Sequence, residues 1–104
     1  MGMYTKIYNL KFAAPREAKI ASTFLAEEAA GTIRDCNVHS LHVFLDQDAA
    51  ICMTVCFGEM ADMRSFAGRM GPVIDDLKGS FQIRITELAA VSVFSFERDV
   101  PEAA

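Results

Sequence analysis

Tryptophan is absent from this 104-residue chain, histidine occurs twice and cysteine three times. His39 and His42 stand three residues apart on a stretch that reads as a strand, so they point to opposite faces and cannot grip one ion together. Cys52 and Cys56 share a face with Thr54 between them, but strand rise separates them by about 13 Å. Neither set reaches ligand spacing, and the expectation is a chain with no metal and no cofactor. Three cysteines are an odd number for a disulfide framework. Cys36, Cys52 and Cys56 therefore read as reduced thiols behaving as small hydrophobes. Ten basic residues against fourteen acidic ones give a net charge of −4, and the basic residues are scattered singly. No stripe exists for a nucleic-acid backbone. No apolar run approaches the roughly 20 residues of a membrane span. The first ten residues carry only Lys6 as a charge and form no signal peptide, and Gly2 lacks the Ser or Thr that lipidation would want. The expected location is cytoplasmic, with neither membrane nor nucleic acid as partner.

What the chain has is apolar surface. Hydrophobic residues make up 52% of it, including eight Phe and six Met, against about 45–50% with glycine included in an ordinary soluble domain. One small domain cannot hide that much, so the surplus points to a subunit interface or a ligand wall.

Hydrophobic periodicity divides the chain into six elements. Tyr4 to Phe12 alternates with period two, as a strand does. Pro15 suits a first helical turn, and Ala18, Ala21, Phe24, Leu25 and Ala29 recur at helical spacing until Gly31. Val38 to Leu45 and Ala50 to Phe57 read as two strands of a hairpin, with Asp46, Gln47 and Asp48 supplying turn chemistry. From Glu59 the spacing turns helical again, with Met60, Met63, Ala67 and Met70 on one face and Phe66 beside it. Gly71 and Pro72 are expected to end or kink this helix, leaving a second short piece up to Gly79. Phe81 to Phe96 reads as one very long strand, with a bulge over residues 87–90. Residues 1–97 form a single domain in this reading, and residues 98–104 a flexible tail.

The βαββαβ order is that of an α+β ferredoxin-like sandwich, two helices on one face of an antiparallel sheet. With its overlong last strand and a sheet apolar on both sides, the chain resembles the dimeric α+β barrel proteins, the group of antibiotic-biosynthesis-type monooxygenases and stress-responsive barrel proteins. The resemblance implies a homodimer whose sheets join face to face through an extended last strand. It also implies a pocket for a small apolar or aromatic ligand. In the related haem-degrading enzymes the first strand carries an Asn, as Asn9 here, but the second helix of this chain lacks their iron-binding His.

The candidate site lies between the second helix and the hairpin. Ser40, His42 and Phe44 share one strand face. If Leu45 lies opposite Ala50, His42 faces Met53 and His39 faces Cys56; a one-residue change in the loop places His42 opposite Cys52 instead. Tyr8 and His42 are the expected acid/base or hydrogen-bonding groups, and Ser40, Phe44, Met53, Met63 and Phe66 the expected ligand wall. His39, with Leu41 and Val43, is expected to face the barrel interior. A Cys/His nucleophilic pair has no third group to orient it, and the simpler reading is a histidine beside small core thiols. Arg84 reads as a solvent or interface charge. Two functions follow from the resemblance and the pocket: a cofactor-independent monooxygenase-like enzyme acting on a small aromatic molecule, or a non-catalytic dimeric module that binds a small ligand or a protein.

Overall fold

The computed structural model describes residues 3–94 together with Phe96 and Arg98. The elements run β1 (Tyr4–Phe12), α1 (Pro15–Ala30), β2 (Val38–Asp46), β3 (Ala50–Phe57), α2 (Met60–Ser80) and β4 (Ile83–Val91). The strands form one antiparallel sheet in the order β2-β3-β1-β4. Both helices cover the same face, so the fold is the ferredoxin-like α+β sandwich that the element order predicts.

Alternation decides which side chains meet the helices. Tyr8, Leu10 and Phe12 of β1 and Ile51, Met53, Val55 and Phe57 of β3 are buried beneath α1 and α2. Each helix brings one apolar stripe to them: Ala18, Ala21, Leu25 and Ala29 from α1, and Phe66, Met70, Ile74 and Leu77 from α2. Small alanines on α1 let that helix approach closely, while the larger α2 side chains fill the remaining depth. An edge-on aromatic pair, Phe12 and Phe81 with centroids 5.6 Å apart, closes one end of the core.

Three expectations need correction. First, α2 is one continuous helix through Pro72, not two pieces. Its buried stripe continues in phase from Phe66 to Leu77, and burial outweighs the missing hydrogen bond. Gly68 and Pro72 both lie on the exposed side, where water meets the carbonyl that proline leaves without a donor. Pro72→Ala restores that bond, and the expected gain is about 1–3 kcal/mol, read as an increased urea midpoint at unchanged m-value.

Second, the last strand ends at Val91, and its pairing with β1 runs unbroken from Phe12↔Ile83 to Tyr4↔Val91. There is no bulge at residues 87–90. The two alanines that interrupt the apolar pattern keep the alternation; Ala89 lies opposite Lys6, whose long side chain occupies that face. Beyond Val91 the Ser92 amide still donates to the Met3 carbonyl, at 2.8 Å. Val93, Phe94 and Phe96 are then 97, 85 and 70% exposed, so these apolar side chains stand largely bare among the described residues. The tail expected over residues 98–104 lies, apart from Arg98, outside the described residues.

Third, the hairpin register is neither of the two anticipated. Leu45 pairs with Ile51 and Asp46 with Ala50, which leaves a three-residue loop and sets His42 opposite Thr54. The loop closes on Ala49, which adopts φ +67, with the Asp46 carboxylate accepting the Asp48 amide at 3.1 Å. A glycine would mark such a left-handed position, and alanine hides it.

Candidate functional site

A one-residue slip in a strand moves all its side chains to the other face, and here it divides the predicted site in two. Tyr8, Met53 and Phe66 lie in the helix-side core, with Met63 packed against its margin. Ser40, His42 and Phe44 point the other way, onto the sheet face that no helix covers, with Cys56, Thr54 and Cys52 as cross-strand partners. His42 and Tyr8 are thus separated by the thickness of the sheet. Leu41 and Val43, expected toward the barrel interior, pack instead on the helix-side core. His39 falls at an irregularity of β2 between Val38 and Ser40 and has no register partner.

The uncovered face is a grid of four rows across β2, β3, β1 and β4. Ser40, Cys56, Thr5 and Ala90 form one row; His42, Thr54, Ile7 and Leu88 the next; Phe44, Cys52, Asn9 and Thr86 the third; Asp46, Ala50, Lys11 and Arg84 the last. His42 stacks on Phe44 with ring planes 6° apart and centroids at 5.9 Å. Thr5 and Cys56 touch at 3.5 Å between Oγ1 and Sγ. Phe44 and Leu88 are each more than half exposed on this face. Asn9 lies here too, away from the helices. Among the described residues no three His, Cys, Asp or Glu side chains converge at metal-holding distance.

A polar cluster that the sequence reading missed sits on the other face. Lys6 Nζ lies 3.2 Å from Glu87 Oε1 and 5.6 Å from the centroid of the Tyr8 ring. Burial, and then the Glu87 carboxylate across the strand pair, push the Tyr8 phenol well above its ordinary value near 10. It is a neutral hydrogen-bond donor throughout the physiological range. The helices seat over β1 and β3 and leave Glu87, Ala89 and Val91 of β4 exposed, so the cluster opens to solvent along that strand. The signal for it was available. Lys6 shares its alternation with Tyr8, and Glu87 falls on the same face once β4 is read without a bulge.

Because the folded-state pKa of Tyr8 is raised, the folded protein holds a proton that the unfolded chain gives up above pH 10. Stability therefore falls as pH climbs past 10, by at most about 1.4 kcal/mol per pH unit from this group. Tyr8→Phe is expected to flatten that alkaline slope in denaturant titrations at pH 9.5 to 11.

Three cavities have other linings. One of about 250 Å3 lies between the helices around Ile20, Phe24 and Leu77. One of about 160 Å3 is bordered by Glu28, Arg69 and Met70. The third, of about 490 Å3, opens at the end of the sheet beside Lys11 and Arg84.

No family profile and no curated protein matches this chain. Solved structures do match it. A dimeric ferredoxin-like protein from an uncultured marine organism superposes with a TM-score of 0.73 at 12% identity, covering 95% of each chain. A monooxygenase from the gene ActVA-Orf6 of Streptomyces coelicolor, in complex with Nanaomycin D, gives 0.70 at 10% identity over 93% of each chain. SnoaB, a cofactor-independent oxygenase of Streptomyces nogalater, gives 0.60 at 16% identity over 96% of this chain and 98% of its own. The ferredoxin-like fold is common to all of them, and the resemblance read from element order holds at that level.

Proposed function

We propose that two copies of this chain close into an α+β barrel, uncovered face against uncovered face, and that the dimer acts on a small aromatic molecule as a cofactor-independent monooxygenase. The dimer rests on one observation: a whole sheet face carrying Phe44, Ile7 and Leu88, continued by the exposed side chains of Val93, Phe94 and Phe96, has no cover among the described residues. Description of a fold neighbour as dimeric supports the same assembly. Val93→Asp is a companion test on the arm, expected to weaken the dimer in sedimentation equilibrium.

For the chemistry, the Lys6, Tyr8 and Glu87 cluster is the set of groups best arranged to act together. Oxygenation without a cofactor uses the substrate's own carbanion or phenolate as reductant, so the protein must take a proton and hold the resulting anion. Glu87 would accept the proton, Lys6 would face the negative charge, and Tyr8 would donate a hydrogen bond to a substrate oxygen. Met53 and Phe66 form the apolar backing, with Met63 at its rim. His42, Ser40 and Phe44 belong to the barrel interior in this reading, where His42 orders the interface through its stack on Phe44. The oxygenase descriptions of two fold neighbours support the reaction class.

The test is oxygen uptake with a panel of anthrones and naphthalene hydroquinones. Turnover is expected with at least one of them, and Glu87→Gln is expected to lower kcat about 100-fold or more. A non-catalytic module is the second reading. It is favoured by the close packing behind Tyr8 and by the three cavities described above, none of which takes in Lys6, Tyr8, Glu87 or His42. Ligand-induced thermal shifts with no oxygen uptake across the panel would select it.

A further inference from the structure

We propose that the end of the sheet where β1 leaves and β4 enters is a binding site for a small organic anion, a carboxylate with an apolar body. Lys11 and Arg84 are direct cross-strand partners in the β1/β4 register, on the uncovered face. Like charges placed opposite one another on a sheet oppose its pairing, so their presence calls for a counter-charge. Asp46 stands in the same row across Ala50, but its carboxylate accepts the Asp48 amide and pairs with neither cation. The six residues lining the 490 Å3 cavity are Lys11, Phe12, Ala13, Gln82, Ile83 and Arg84, and none is acidic. Arg84 makes no ion pair among the described residues, where Lys6 has Glu87 and Arg69 has Asp35. Lys11 donates only to the neutral carbonyl of Asp48. In a chain of net charge −4, these are two adjacent cations without an ion-pair partner among the described residues.

The lining supplies both halves of a recognition site. The Arg84 guanidinium offers a planar fork that a carboxylate takes up in two parallel hydrogen bonds, and Lys11 adds a second charge from the neighbouring strand. Gln82 contributes an amide donor at the rim. Ala13 and the half-buried edge of Ile83 add apolar surface at the sheet end, while the Phe12 ring is buried in the core behind them, so the favoured ligand carries a short hydrocarbon or a ring edge beside its charge. This site is separate from the Lys6, Tyr8 and Glu87 cluster and does not depend on the oxygenase reading.

The experiment is an NMR titration of the isotope-labelled full chain with 2-naphthoate and with its uncharged analogue 2-naphthalenemethanol. Naphthoate is expected to shift the amides of Ala13, Ile83 and Arg84, with affinity falling as salt rises from 50 to 500 mM. Arg84→Gln and Lys11→Gln are each expected to weaken it tenfold or more, while Arg84→Lys retains part of the binding. Equal binding of the alcohol, or unchanged naphthoate affinity in both glutamine variants, overturns the proposal. Sedimentation of the same variants gives the remaining outcome. If Arg84→Gln dissociates a dimer, a carboxylate of a second copy is what these cations hold, and the small-anion site is wrong.

Discussion

Leu88→Asp is expected to leave the protein monomeric at micromolar concentration, and Ile20→Asp to leave its assembly unchanged. The contrast is informative because both side chains are 55% exposed in the single chain, so exposure alone gives them equal weight. They differ in location. Leu88 stands in a central row of the uncovered sheet face, and Ile20 in the helix layer on the other side of the sheet, beside the cavity between α1 and α2. In a two-fold assembly each substitution occurs twice across the interface, and an aspartate buried there without a partner costs several kcal/mol. Even about 4 kcal/mol is a thousandfold in dissociation constant. Sedimentation equilibrium reads the result directly: twice the 11.4 kDa chain mass for the parent protein and for Ile20→Asp, and the single chain mass for Leu88→Asp. A monomeric parent protein, or an Ile20→Asp variant that dissociates while Leu88→Asp does not, would remove the barrel.

Phe66→Ala is expected to produce the largest loss of folding stability of any single truncation in the helix-side core. Phe66 is completely buried at the centre of an aromatic cluster, 6.3 Å from the Tyr8 ring and 5.4 Å from that of Phe57. Removing a buried phenyl ring costs about 3–5 kcal/mol, because the packed surroundings collapse only in part. Against about 5–15 kcal/mol for a domain of this length, that is a fifth or more of the whole. Urea denaturation followed by circular dichroism checks it. Phe66→Leu, which keeps most of the volume, should lose less than half as much. Equal losses in the two variants would mean that the ring sits in a pliable region and that the core is centred elsewhere.

The alternation of Tyr8, Leu10 and Phe12, the helical spacing of Ala18, Ala21, Leu25 and Ala29, and Pro15 at the first turn of α1 are local patterns. They carried the number, order and type of the six elements into the sequence reading. The surplus of Phe and Met likewise announced apolar surface in excess of one protomer's needs, now visible as Phe44, Leu88, Val93, Phe94 and Phe96.

Which face each hairpin residue occupies was not legible. That depended on one residue of register set by Ala49 in a left-handed conformation, to which alanine gives no sequence signal. The slip carried Ser40, His42 and Phe44 away from Tyr8, Met53 and Phe66 and dissolved the site that spacing had assembled. The continuity of α2 through Pro72 was equally hidden, because a local rule about proline lost to a buried stripe that only the packed sheet rewards. Lys6 and Glu87 met because β4 kept its alternation through two alanines beside β1, a pairing between residues some eighty positions apart. Sequence determined the elements, since periodicity is a property of the chain alone. Tertiary structure decided the faces and the neighbours, since those depend on register and on burial against segments distant in sequence.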